Sequence, residues 1–203
     1  MRKVLFLLTM CVSLACYAQT HPLFGLKGGV NFTNLIAKNH QGGEFQSRTS
    51  FHVGGLVQLP LNQQFTLQPE VLFSSQSAKY HSDYFGDDVG MIRDIWHLNY
   101  LNLPLMGQYL FGNGFSLQTG PQLGFLLSAK TKDDFGEQEF TQLLKTVEVS
   151  WAMGTAYTTK MGLGLDIRYN LGLTDIDDTN GISAKNRVLQ AGLFYLFGKE
   201  HKK

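Results

Sequence analysis

Only two cysteines occur in the chain, Cys11 and Cys16, and both fall within its first eighteen residues. That stretch reads as a secretory signal. Arg2 and Lys3 supply a positive start, the residues from Val4 to Leu14 are apolar, and Cys16 and Ala18 flank Tyr17 at a signal-peptidase spacing. Residues 1–18 are therefore expected to be cleaved after Ala18, leaving a domain of residues 19–203 with no thiol. Disulfides and thiolate metal sites are then excluded. A lipoprotein reading of Ser13-Leu14-Ala15-Cys16 fits less well, because Ser13 stands where a large aliphatic residue is wanted.

Long apolar runs are missing too. Nothing beyond the signal approaches the roughly 18 consecutive apolar residues of a membrane helix. An excess of one charge is also lacking: the chain carries 17 Lys and Arg against 16 Asp and Glu, and losing Arg2 and Lys3 leaves it slightly acidic. That balance offers no electrostatic footprint for nucleic acid. With only five prolines, 22 glycines and 12% aromatics, the composition leans towards β structure.

What is present is period two, in eight runs. Phe24, Leu26, Gly28, Val30 and Phe32 alternate with Lys27 and Asn31. Phe51, Val53, Gly55, Val57 and Leu59 oppose His52, Gly54 and Gln58, and Phe65, Leu67, Pro69, Val71 and Phe73 oppose Thr66, Gln68, Glu70, Ser74 and Gln76. Leu101, Leu103, Leu105, Gly107 and Tyr109 face away from Tyr100, Asn102, Met106 and Gln108. The fifth run sets Phe115, Leu117, Thr119, Leu123, Phe125 and Leu127 against Ser116, Gln118, Gln122 and Ser128. The sixth opposes Val147, Val149, Trp151, Met153 and Tyr157 to Glu148, Ser150 and Gly154. In the seventh, Met161, Leu163, Leu165, Ile167, Tyr169 and Leu171 alternate with Gly162, Gly164, Asp166, Arg168, Asn170 and Gly172. The eighth opposes Leu189, Ala191, Leu193, Tyr195 and Phe197 to Gln190 and Gly192.

The connections alternate as well. Residues 60–64, 111–114 and 158–160 read as tight turns, and residues 33–50, 81–95, 131–146 and 174–186 as long polar loops. Eight such runs with short and long connections in turn predict an all-β fold: an eight-stranded antiparallel up-and-down transmembrane β-barrel of the bacterial outer membrane. A soluble barrel would put its apolar face inside. Here the apolar face is the bulkier one, and small polar residues suit a narrow lumen. Phe24, Phe65, Phe111, Phe115, Tyr157 and Tyr195 gather near one rim, and Phe32, Phe51, Tyr80 and Trp96 near the other, as interfacial rings do.

Lys27, Glu70, Glu148, Asp166 and Arg168 then point inwards, where charges must pair. A structural ion-pair network is expected, with Arg168 bridging two carboxylates. An ion path or a buried catalytic acid is the functional alternative. No cofactor or metal is expected: the six histidines lack ligand spacing, and the acidic groups Asp87-Asp88, Asp133-Asp134 and Asp175 to Asp178 sit in loops without EF-hand order. Phosphate-loop and nucleophile-elbow patterns are absent. His52 and His97, with Ser50 and Asp94 near them in sequence, leave a lipid-modifying rim enzyme as a further alternative to the expectation of no catalysis.

GLKGGVNFTNL (from Gly25), QPEVLFS (from Gln68), YLNLPLMGQYLFG (from Tyr100), TGPQLGFLLSAK (from Thr119) and DIRYNLGLTDI (from Asp166) together resemble the PorT-like family of Bacteroidetes outer-membrane β-barrel proteins. Asn102 departs from that pattern, which often has an inward Glu there. The last strand resembles the assembly signal read by the barrel insertion machinery, with Gln190 as its polar residue, Gly192 as its glycine, and Tyr195 and Phe197 as its hydrophobic positions. A structural or interaction role is expected, and the resemblance adds that some members of the family are linked to secretion and gliding machinery. The expected partners are outer-membrane lipid or lipopolysaccharide, the assembly machinery, and an envelope protein reached through the long loops. A small pore or transporter for ions or small solutes is the main alternative.

Overall fold

A strand that is apolar on one face and polar on the other needs hydrogen-bond partners along both edges before it can enter lipid. The computed structural model meets that need by closure. It describes residues 21–38, 43–82, 92–133, 136–139, 145–174 and 183–198. The strands are β1 (Leu23–Lys38), β2 (Gly43–Pro60), β3 (Phe65–Ser82), β4 (Ile92–Leu110), β5 (Phe115–Asp133), β6 (Gly136–Glu139), β7 (Val147–Thr158), β8 (Leu163–Gly172) and β9 (Ser183–Leu196). Each barrel strand pairs antiparallel with its neighbours, β4 pairs with β5, and β9 returns to β1 with Gly25 opposite Leu196 and Lys38 opposite Ser183. Eight strands thus form a closed barrel with no free edge. The short β6 pairs with the loop end of β5, outside the ring. Among the described residues there is no helix.

The turns at the terminal end are built by local side-chain chemistry. Asn62 Oδ1 accepts from the backbone N–H groups of Gln64 and Phe65 at 2.8 and 2.7 Å, and Asn113 Oδ1 accepts from Phe115 N at 3.1 Å. Gly114 and Gly162 take positive φ, 91° and 88°, where a Cβ would also meet backbone oxygens at 2.5 Å.

Three expectations need correction. Residues 33–50 are mostly strand rather than loop, since β1 runs to Lys38 and β2 begins at Gly43. β3, β4, β5 and β9 likewise run past the apolar runs into the expected loops, whereas β7 and β8 stop at their edges. Residues 131–146 contain a ninth strand, β6. Ser128 does not face the lumen. A bulge pairs Asn99 with Ser128 but Tyr100 with Leu126, which flips the phase of β5 beyond Leu127, so Asn99 Nδ2 meets Ser128 Oγ at 3.0 Å on the outer face.

The faces sort as the alternation requires. Phe24, Leu26, Val53, Leu117, Leu163, Leu165, Ile167 and Leu193 are all exposed on the outside. Phe65, Phe111, Phe115, Tyr157 and Tyr195 are exposed near the short-turn end, where Tyr109 stacks edge-on against both Phe65 and Phe111 at 5.1 Å. Phe32 and Phe51 are exposed further along, while the side chains of Tyr80 and Trp96 lie outside the described residues. The inside is not uniformly polar. Leu56, Ala156, Phe194 and Leu196, with Leu23 against them, form an apolar floor, and Leu98, Tyr100, Leu126 and Ala129 form a second apolar layer towards the loops.

A pairing rule explains how eight strands accommodate these side chains. Large lumen residues stand opposite glycines: Lys27 opposite Gly54, His52 opposite Gly29, Glu148 opposite Gly124, Arg168 opposite Gly154, Asp166 opposite Gly192, and Phe194 opposite Gly164. A Cβ on Gly164 would sit 2.2 Å from Phe194 Cζ. Gly164→Val is therefore expected to destabilise the barrel by about 1–3 kcal/mol through overpacking, read as a lower urea midpoint in phospholipid vesicles.

Candidate functional site

The inward charges come from strands on opposite walls. Around the ring, β3 and β8 are separated by three strands on either side. Arg168 and Asp166, two residues apart on β8, share the lumen face. From there Arg168 Nη1 donates to Glu70 Oε2 at 2.8 Å and Nη2 to Oε1 at 2.5 Å, a two-pronged pair across the full width of the barrel. Arg168 Nε also lies 2.9 Å from Asp166 Oδ2, so one guanidinium bridges both carboxylates. Lys27 completes the cluster, 2.5 Å from Asp166 Oδ2 and 3.7 Å from Glu70 Oε2. Two cations face two anions, and all four side chains are at most 2% exposed. Burial on this scale is costly unless geometry and extra hydrogen bonds compensate, and here both are present.

Glu148 does not join the cluster, which corrects the expectation of a single five-membered network. It stands nearer the loops, where it accepts from Asn186 Nδ2 at 3.4 Å; Asn186 Nδ2 also donates to Gln76 Oε1. The Tyr100 hydroxyl lies beside it. The physical reason is register: Glu148 is ten residues above the β7–β8 turn, whereas Asp166 and Arg168 lie close to that turn on β8.

Two further networks went unread in the sequence. Gln68 Oε1 accepts from Gln58 Nε2 at 2.8 Å and from Gln108 Nε2 at 2.9 Å, while Gln68 Nε2 donates to Glu70 at 2.5 Å. Gln118 Oε1 accepts from Arg168 Nη2 at 2.9 Å and from Gln108 at 3.3 Å. This glutamine ladder supports the ion cluster from the turn side. The signal was four glutamines at inward positions close to short turns. On the loop side, Asn31 Nδ2 donates to the carbonyls of Phe51 and Ser75 at 3.1 and 2.8 Å, and Asn31 Oδ1 lies 2.8 Å from His52 Nδ1.

That placement removes His52 from the rim, since it is buried in the lumen. His97 faces outwards near the loop end, with its Nδ1 3.0 Å from Ser77 Oγ. Ser50 Oγ donates to the Ser75 carbonyl at 2.6 Å. The side chains of Asp94 and Asp133, the other acidic loop residues and the signal segment lie outside the described residues, although the backbone of Asp133 ends β5; among the described residues no three His, Cys, Asp or Glu converge as metal ligands. In β9, Gln190 and Gly192 face the lumen, and Gln190 Nε2 donates to Asn31 Oδ1 at 3.1 Å. Tyr195 and Phe197 are exposed on the outer face, their rings 5.4 Å apart.

A closed eight-stranded meander with bulky apolar residues outside and paired charges inside is the build of an outer-membrane barrel. Residues 17–178 match the family described as outer membrane protein beta-barrel domain, and the chain belongs to that family. No curated protein matches it. Among solved structures it is similar to Ail, the attachment invasion locus protein of Yersinia pestis, at a TM-score of 0.53 and 10% identity, covering 88% of this chain and 100% of that one. It is also similar to Neisserial surface protein A (TM-score 0.54, 12% identity, 87% and 99% covered) and to OprG from Pseudomonas aeruginosa (0.50, 11%, 89% and 98%). At such identities the likeness shows the shared fold.

Proposed function

We propose that the protein is a non-enzymatic, non-conducting outer-membrane barrel whose lumen is a structural plug and whose specific activity resides in the connections opposite its short turns. The Arg168–Glu70 pair carries this reading, because it spans the lumen from wall to wall above the glutamine ladder and the apolar floor. Lys27, Glu70, Asp166 and Arg168 hold the walls together in place of an apolar core, with Glu148 in a second polar layer. The partner is an envelope protein or surface ligand, with outer-membrane lipid or lipopolysaccharide around the barrel. Within its family the chain belongs with the PorT-like barrels of Bacteroidetes; the support is the order of its strand motifs, DIRYNLGLTDI above all. Export follows cleavage after Ala18, and the insertion machinery reads Gln190, Gly192, Tyr195 and Phe197.

In planar bilayers the purified protein is expected to give no steady single-channel current. Regular channels that Glu70→Ala abolishes would establish the pore reading instead. Capture from native envelope, comparing the intact protein with deletions in residues 83–91 and 174–182, tests the interaction role. A captured set unchanged by every deletion contradicts it.

A further inference from the structure

The outer wall carries a recess on the half nearer the short turns. Its volume is about 780 Å³, within the roughly 300–1,000 Å³ of ordinary ligand sites. The lining follows one registered row across the strands: Gly107 on β4, Thr119 on β5, Met153 on β7, Tyr169 on β8 and Leu189 on β9. Four strand spacings make that row about 19 Å long. The next row towards the turns adds Thr155, and Tyr109 stands at the β4 end beside the rings of Phe65 and Phe111.

Local chemistry keeps this recess open and apolar. Gly107 is not required by the fold: its φ is not positive, and a Cβ there would meet nothing closer than the Thr119 carbonyl at 3.6 Å, an ordinary contact. Gly164 differs, because Phe194 fills its space. Thr119 Oγ1 donates to the Ala152 carbonyl at 3.1 Å and accepts from Trp151 Nε1 at 2.9 Å. Thr155 Oγ1 donates to the Ser116 carbonyl at 2.9 Å, so neither hydroxyl proton is left for an occupant. What enters is held by shape and dispersion. A polar solute would lose hydrogen bonds on entry. A second copy related by a two-fold axis would set recess against recess and fill neither. Length, apolar lining and a place in the wall of an outer-membrane barrel fit an extended hydrocarbon chain, the material around that wall.

We propose that the recess holds one acyl chain of a phospholipid from the leaflet at the short-turn end, with Tyr109 at its interfacial end. The proposal rests on the lipid contact of the outer wall and is independent of whether the lumen conducts. Gly107, read from sequence only as one member of an alternating run, then keeps the space open.

The test uses the whole protein in vesicles of phosphatidylcholine with a photoreactive group on one acyl chain, and adducts are mapped by mass spectrometry after illumination. Adducts at Thr119, Met153 and Thr155 are expected several-fold above the mean of the outer wall. Gly107→Leu, which puts a side chain into the recess, is expected to bring them down to that mean. Gly55→Leu, on the outer face of β2 where a Cβ has similar room at 3.7 Å, is expected to leave the enrichment in place. Even labelling of the native wall overturns the recess but not its contact with lipid, whereas a wall without adducts overturns both. Either result stands on the native protein alone if Gly107→Leu does not fold. Enrichment that survives Gly107→Leu, an equal loss in Gly55→Leu, or chain-to-chain cross-links at Met153 in place of lipid adducts each overturn the acyl-chain assignment.

Discussion

Arg168→Met is expected to destabilise the folded barrel by about 3–5 kcal/mol, the cost of leaving a buried charge without its partner. The loss is not that of one surface ion pair. Arg168 supplies both prongs on Glu70, the bridge to Asp166, and the donor that anchors Gln118. Without it, Lys27 alone must serve two carboxylates, one of them 3.7 Å away. Combining Arg168→Met with Glu70→Gln removes the stranded carboxylate, so the double variant is expected to be more stable than the single one. The double-mutant cycle then isolates the coupling between two residues on opposite walls. Urea unfolding in phospholipid vesicles, followed by tryptophan fluorescence, reads both quantities. A change within about 0.5 kcal/mol for Arg168→Met would place the residue among ordinary surface positions and remove the basis for a charge-sealed lumen.

How far the sequence reaches follows from where physics constrains it. Between the two interfaces each strand must be apolar outside, so runs such as Leu163 to Leu171 declare both strand and face. Past the apolar band neither face is so constrained, and alternation fades while backbone pairing continues. Residues 43–50 contain one large apolar residue, Phe45, and yet extend β2. Bulges hide for another reason. The extra residue at Leu127 changes the phase of β5 without any mark such as Gly or Pro, and is set by pairing with β4. Within the lumen, the inward positions of Lys27, Glu70, Asp166 and Arg168 could be read from alternation, but their meeting depends on stagger between strands. Stagger also separates Glu148 from them. The glycines opposite large lumen residues carried part of that information, because each marks a neighbour with room to swing across, but the pairs emerge only once register is fixed.

The second large effect separates a barrel in lipid from a barrel in water. Ile167, near the middle of β8, and Leu61, in the turn before β3, are almost equally exposed, at 55% and 56%. In water, an arginine at either site would change stability by no more than about 0.5 kcal/mol. In a bilayer the two sites differ by depth. Ile167→Arg is expected to cost about 2–4 kcal/mol, as at the midplane, and Leu61→Arg about 0–1 kcal/mol, as at an interface. The neighbours of Ile167 sharpen the contrast. Thr155 and Ala191 flank it across β7 and β9, and neither brings an acid to pair with the new guanidinium. Reversible unfolding from phospholipid vesicles gives both values on one scale. Equal costs at the two positions would mean that the outer face does not meet hydrocarbon, whereas a gap of that size assigns it to lipid by energy as well as by pattern.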